Sequence, residues 1–118
     1  PQFGGWAFTK SAAGRFVDTN CRDYGFIVRY PSYGEKQTGI PYEPWHLRYV
    51  GLPHSQIIMD EYLTLEEYID LLKPGSFYQY GSYLISHQNG RVIDAPSGWK
   101  HVTVSEDNLG GYLFTWEL

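Results

Sequence analysis

Between Lys10 and Tyr24 the apolar residues Ala13, Phe16, Val17 and Cys21 return at the spacing of one helical face, and Ser11 stands where a side-chain oxygen can cap the first turn. Gly25 ends that helix. Phe26-Ile27-Val28-Arg29-Tyr30 follows as a short β-rich run closed by Pro31, and Pro31 to Gly39, rich in Pro, Ser, Gly and charge, reads as a surface loop. Ile40 to Tyr42 is a second short extended piece. Pro44 forces a non-helical backbone at Glu43, and His46 to Val50 is apolar and aromatic enough for a third strand. Pro53 suits the first turn of a helix reaching Tyr62. Thr64 and Glu67, three residues apart ahead of Tyr68, Ile69, Leu71 and Leu72, form a capping-box pattern, so a second short helix is predicted to end near Lys73-Pro74-Gly75.

From Phe77 the texture changes to strands. Tyr83 to His87 and Arg91 to Ala95 flank Gln88-Asn89-Gly90, and Asn-Gly between β-rich runs is the strongest short hairpin signal. His101 to Ser105 and Tyr112 to Trp116 flank the longer turn at 106–111, and Tyr112, Phe114 and Trp116 alternate as one buried strand face would. The patterns predict an α+β chain in two parts: a short antiparallel sheet with flanking helices over 1–75, then a β-hairpin appendage over 76–118.

A length of 118 residues fits one domain with a small appendage. Apolar residues at 42% and charged residues at 19%, with four Trp, eleven Tyr and six Phe, supply a core and exclude a disordered chain. Nine Lys and Arg against 13 Asp and Glu leave a net charge of −4, which argues against nucleic acid as a partner. The single cysteine, Cys21, makes no internal disulfide. There is no long apolar run of membrane-spanning length and no signal-peptide pattern. The chain opens on Pro1 rather than Met, so further residues upstream are expected.

The densest group of chemistry-bearing residues is Tyr42-Glu43-Pro44-Trp45-His46. A carboxylate three residues from an imidazole can act as a general base beside a metal ligand. The same residues can equally be an exposed Glu and a hydrogen-bonded His beside a core Trp. On a plain strand, positions three apart face opposite sides, so Glu43 and His46 converge only if the chain bends at Pro44-Trp45.

Tyr24-Gly25-Phe26-Ile27-Val28-Arg29-Tyr30-Pro31, Thr38-Gly39-Ile40 and Tyr42-Glu43-Pro44-Trp45-His46-Leu47-Arg48-Tyr49-Val50-Gly51 occur in that order, followed by Pro53-His54 and Leu63-Thr64-Leu65-Glu66-Glu67-Tyr68. Over residues 10 to 72 the chain resembles the C-terminal half of the VanY-type zinc D-alanyl-D-alanine carboxypeptidases. The resemblance implies that His46 is the third zinc ligand and Glu43 the base that activates the metal-bound water. It also implies that the other ligands, a His and an Asp, belong to an upstream Ser-x-His-x-x-Gly-x-Ala-x-Asp segment, which these 118 residues do not contain. The chain is then expected to be a fragment beginning just after the second ligand, inactive by itself. Further implications are a Zn2+ cofactor, a peptidoglycan stem peptide as substrate, removal of its C-terminal D-Ala in cell-wall metabolism, and an extracytoplasmic place at the cell wall or membrane. A different class of function, a non-catalytic wall-binding or regulatory domain derived from the same fold, stands beside the enzyme reading.

Trp45 either walls the substrate pocket or belongs to the core, and Arg29 and Arg48 either receive a substrate carboxylate bidentately or make structural ion pairs. His54 reads as a capping or supporting histidine, His87 and His101 as surface residues on facing strands, and Glu66, Glu67 and Asp70 as the solvated face of a helix. The aromatics of the tail form either a small β core or a platform for glycan or stem peptide. Without the rest of the domain, the strand residues at 26–30 and 46–50 would be uncovered, and self-association of the fragment is expected.

Overall fold

The helix that begins after Ser11 starts where its cap predicts. A computed structural model of the chain describes residues 5–89, 97–107 and 109–117. In it the Ser11 hydroxyl accepts the Gly14 amide at 3.0 Å, and helix α2 spans Ala12–Asn20. A short helix α1 (Gly5–Lys10), which no periodicity announces, precedes it. Gly14 is the point of closest approach between the two: a Cβ there would lie 1.8 Å from the Phe8 carbonyl oxygen. Beyond Asn20 the chain tightens into a 3-10 turn over Cys21–Tyr24, and Gly25 stops it at φ 86°, a conformation that penalises any Cβ.

Strand β1 (Phe26–Tyr30) pairs antiparallel with β2 (Glu43–Tyr49). The piece expected at Ile40–Tyr42 forms no strand, and the one expected at His46–Val50 is part of a longer strand that begins at Glu43. Because Pro31 closes β1, its last residue Tyr30 lies opposite Glu43, and nothing earlier has a β1 partner. The connection holds a short helix α3 (Glu35–Thr38) where only loop is expected. Helix α4 runs His54–Asp60, two residues short of the predicted end, and α5 runs Leu65–Leu71. The capping box is formed in full: Thr64 Oγ1 accepts the Glu67 amide at 3.0 Å, and Glu67 Oε1 accepts the Thr64 amide at 2.9 Å. Glu67 is therefore not simply solvated. Cys21, Ile27, Val28, Ile58 and Tyr68 are the buried apolar residues of this first compact unit, Pro1–Tyr68.

The second unit, Ile69–Leu118, is built on a four-stranded antiparallel sheet in the order β3-β4-β6-β5. Its strands are β3 (Phe77–Tyr80), β4 (Tyr83–Gln88), β5 (Lys100–Glu106) and β6 (Tyr112–Glu117). The β5–β6 hairpin is the one expected. The second half of the hairpin expected across Asn89-Gly90, Arg91 to Ala95, lies outside the described residues. Among the described residues, both edges of β4 are occupied, by β3 and by β6. In β6, which has a strand on each edge, the predicted alternation gives way to four consecutive buried residues, Leu113 to Trp116. Phe114 and Trp116 stack on one face with Phe77, while Leu113 and Thr115 pair across to His87 and Ile85 on the other.

That second face overturns the reading of His87 as a surface residue. Its Nδ1 lies 2.7 Å from the Leu72 carbonyl and its Nε2 2.7 Å from Asp107 Oδ2, both side chains being buried. Both ring nitrogens are thus engaged, one by a backbone carbonyl and one by a carboxyl group, which fixes the ring between them. Asp107 Oδ1 also accepts the Leu109 and Gly111 amides at 2.7 and 2.8 Å, which shapes the β5–β6 turn. Burial pushes the Asp107 pKa up, but the bonds from His87, Leu109 and Gly111 outweigh it and hold the carboxyl below its ordinary value. The His101 side chain lies outside the described residues.

Two outcomes follow from this packing. Thr64→Ala should cost about 1 kcal/mol, read as a lower thermal midpoint with the helix start frayed. Asp107→Asn should cost about 3 kcal/mol, because it breaks a buried pair by altering one partner. As the folded Asp107 value lies below that of an unfolded carboxyl, its contribution is present above about pH 4 and is lost as pH falls through the folded value. Thermal midpoints measured from pH 7 to pH 2 should show that acid-side loss in the parent chain and a smaller one in Asp107→Asn.

Candidate functional site

The register of the first sheet breaks between Val28 and Tyr30. Val28 pairs with Leu47 and Tyr30 with Glu43, so two steps of β1 are matched by four of β2. The extra residues form a bulge that contains the buried Pro44, and bulges re-aim the side chains they carry. This is the bend that Glu43 and His46 need. Their side chains, which a regular strand would send to opposite faces, meet with His46 Nδ1 3.0 Å from Glu43 Oε1. With Nδ1 engaged by the carboxylate, Nε2 is the ring nitrogen left to face a metal. Both side chains are partly exposed, so the pair is reachable from solvent.

A second layer lies against this pair. The Tyr30 ring packs edge-to-face on the His46 ring, with centroids 5.0 Å apart and planes at 89°. The Arg29 guanidinium sits 4.7 Å from the Tyr30 ring centroid. Arg29 itself is committed to Glu66 through two bonds, Nη1 to Oε1 at 3.0 Å and Nη2 to Oε2 at 2.8 Å. The Arg29 hydrogen bond holds the Glu66 carboxyl below its usual range. Arg29 is thus in the structural ion pair that was one of its two readings, and Glu66 is half of that pair rather than part of a merely solvated face.

The remaining candidates are placed differently from one another. Trp45 is 45% exposed, on the surface next to the pair and outside the core, because the bulge buries its neighbour Pro44 instead. Arg48 Nε donates to the Tyr49 carbonyl at 3.3 Å. Phe26, Leu47 and Tyr49 leave an exposed apolar strip along the same sheet. His54 is buried, with Nδ1 2.7 Å from the Tyr68 hydroxyl, and burial pushes its pKa down to about 4. It is a neutral core group at pH 7. Tyr42 lines a cavity of about 290 Å³ with Asp18, Arg22, Tyr33 and Met59. Among the described residues, no group of three or more His, Cys, Asp or Glu side chains could hold a metal ion. Glu43 and His46 therefore fit one corner of a zinc site, an imidazole ligand with a carboxylate beside it, and not a whole site.

Residues 5–52 match the family model for D-alanyl-D-alanine carboxypeptidase, VanY. A D-alanyl-D-alanine carboxypeptidase of Enterococcus faecium is 36% identical over 115 residues, covering 90% of this chain and 37% of that protein. The bifunctional D-Ala-D-Ala dipeptidase and D-Ala-D-Ala carboxypeptidase VanXYC of Enterococcus gallinarum is 55% identical over 65 residues, 55% of this chain and 34% of that protein. The crystal structure of the vancomycin resistance D,D-dipeptidase VanXYg, in complex with a D-Ala-D-Ala phosphinate analogue, superposes with a TM-score of 0.77 at 29% identity. It covers 93% of this chain and 48% of that one. The chain spans about a third of the length of these curated relatives. Matches covering nine-tenths of the chain extend well past Tyr68, so the likeness includes the four-stranded sheet as well as the segment that carries Glu43 and His46. By sequence and by fold, the chain belongs to the VanY-type family of D-alanyl-D-alanine carboxypeptidases.

Proposed function

We propose that the protein to which this chain belongs is a zinc-dependent carboxypeptidase that removes the C-terminal D-Ala from peptidoglycan stem peptides. The observation that carries this reading is the bulge-enforced meeting of Glu43 and His46 at 3.0 Å, inside the segment matched by the family model. The relatives named for D-Ala-D-Ala cleavage, and the D-Ala-D-Ala phosphinate analogue held by VanXYg, support the substrate class. Such substrates lie outside the cytoplasmic membrane, and the protein is proposed to act there, at the cell wall.

Zinc, when bound, supplies Lewis-acid polarisation of the scissile carbonyl and a water of lowered pKa. In this assignment His46 contributes Nε2 as one ligand, with its ring hydrogen on Nδ1 directed at Glu43. Glu43 has one oxygen engaged by that ring. Its other oxygen takes the proton of the attacking water and later delivers it to the leaving amine of D-Ala. Among the described residues no further His, Cys, Asp or Glu joins His46 and Glu43 in a metal-holding group, and the other ligands are assigned to the rest of the full-length protein. Trp45, exposed beside the pair, is suited to wall the substrate pocket. Of the two arginines, Arg48 is the candidate for the substrate carboxylate, since both terminal nitrogens of Arg29 are taken by Glu66.

The 118-residue chain alone should release no D-Ala from D-Ala-D-Ala peptides with or without added zinc; zinc-dependent release by the purified chain would overturn the incomplete-site assignment. In the full-length protein, Glu43→Gln should lower kcat by about 10² to 10⁴ while zinc content is retained. His46→Ala should lose both zinc and turnover. Metal analysis alongside a D-Ala release assay reads both, and near-normal kcat in Glu43→Gln would remove Glu43 from the role of base.

A further inference from the structure

We propose that Tyr30 is a positioning residue for the Glu43–His46 pair and that Arg29 and Glu66 form the clamp that keeps Tyr30 in place. For its effect on turnover the proposal rests on the function given above; its geometry does not.

The bulge that brings Glu43 and His46 together also loosens what it brings. Between Val28 and Tyr30 the β2 backbone has two residues more than β1 can pair with, and His46 lies among the unpaired ones. The hydrogen bond to Glu43 fixes one distance, from Nδ1 to Oε1, yet a single bond leaves the imidazole able to turn about it. The direction of Nε2, the nitrogen that matters for a ligand, is set only when the ring plane is set.

Tyr30 is placed to set it. It is the β1 residue directly opposite Glu43, where pairing resumes after the bulge, and its ring meets the His46 ring at 89°. Edge-to-face contact is sensitive to the angle between rings, so it restrains the plane that the hydrogen bond leaves unrestrained. The Tyr30 ring is restrained in turn by the Arg29 guanidinium over it. The guanidinium has a fixed plane because two parallel bonds tie it to Glu66. Glu66 stands in the first turn of α5, whose start is fixed by the reciprocal Thr64–Glu67 bonds. A continuous set of contacts thus runs from a capped helix start to the imidazole.

NMR of the His46 ring in the 118-residue chain tests the geometry without any metal or turnover. The parent chain should show His46 ring protons displaced by the Tyr30 ring current, with cross-peaks between the two rings. Tyr30→Phe, which keeps the ring, should preserve the displacement; Tyr30→Leu should abolish it while the remaining amide spectrum stays folded. Should Tyr30→Leu fail to fold, Glu66→Gln, which weakens the clamp from outside the site, should reduce the displacement instead. Unchanged His46 shifts in a folded Tyr30→Leu or Glu66→Gln chain would overturn the proposal. In the full-length protein, Tyr30→Leu should lower kcat about 10- to 100-fold with KM little changed, and Tyr30→Phe should restore the parent rate. A loss confined to KM would also overturn it. Absence of D-Ala release by the parent full-length protein would instead count against the proposed function and leave the NMR result standing.

Discussion

Two steps along β1 are matched by four along β2, and the first unit is organised around that mismatch. β1 has nowhere to grow, since the left-handed Gly25 precedes it and Pro31 follows it. β2 has to accommodate Pro44, which cannot donate to a regular ladder. A bulge resolves both constraints, because a proline without an amide hydrogen fits where pairing is already broken. The same irregularity turns Glu43 and His46 toward each other and pushes Trp45 out to solvent. A feature that costs ladder hydrogen bonds is therefore what makes the site.

Ionic contacts do different work in the two units. In the first, Arg29 and Glu66 make a partly buried, two-bond pair whose value lies in fixing a plane beside the site more than in raw stability, since exposed pairs contribute little. In the second, His87 and Asp107 are both buried, and each also bonds to backbone: His87 to Leu72, Asp107 to Leu109 and Gly111. That pair ties the residues after α5 and the β5–β6 turn to the same strand. Removing one partner leaves a charge in a place that water does not reach, and for that reason the pair is expected to dominate the acid response of the unit.

The likeness to relatives bears on how the second unit is regarded. Residues 76–118 read as an appendage when only the motif blocks are considered, since the resemblance those blocks carry ends by residue 72. Yet alignments with the Enterococcus faecium carboxypeptidase and with VanXYg cover about nine-tenths of the chain, so the four-stranded sheet recurs in proteins that cleave D-Ala-D-Ala. The aromatic content that suggested a glycan platform is partly accounted for by packing, with Phe114 and Trp116 buried in a central strand and Phe77 stacked on Trp116.

Local rules were legible in the sequence. Ser11 capped α2, Gly25 ended the helical run, Phe26–Tyr30 formed the strand it predicted, and Thr64 with Glu67 closed the capping box. Each depends on residues within a turn or two, where side-chain chemistry and backbone preference decide the outcome. The motif Glu43 to His46 and its family could also be recognised, together with the condition that the chain must bend. Whether it bends was a matter of register between strands some fifteen residues apart, a property that no local window contains. The same holds for His87, whose partners Leu72 and Asp107 lie 15 and 20 residues away, and for Arg29, whose pairing with Glu66 needed the helix start brought beside the strand. The sequence by itself determined the elements and the chemistry available; the tertiary structure decided which charges meet, because pairing at that range is set by packing and not by spacing along the chain.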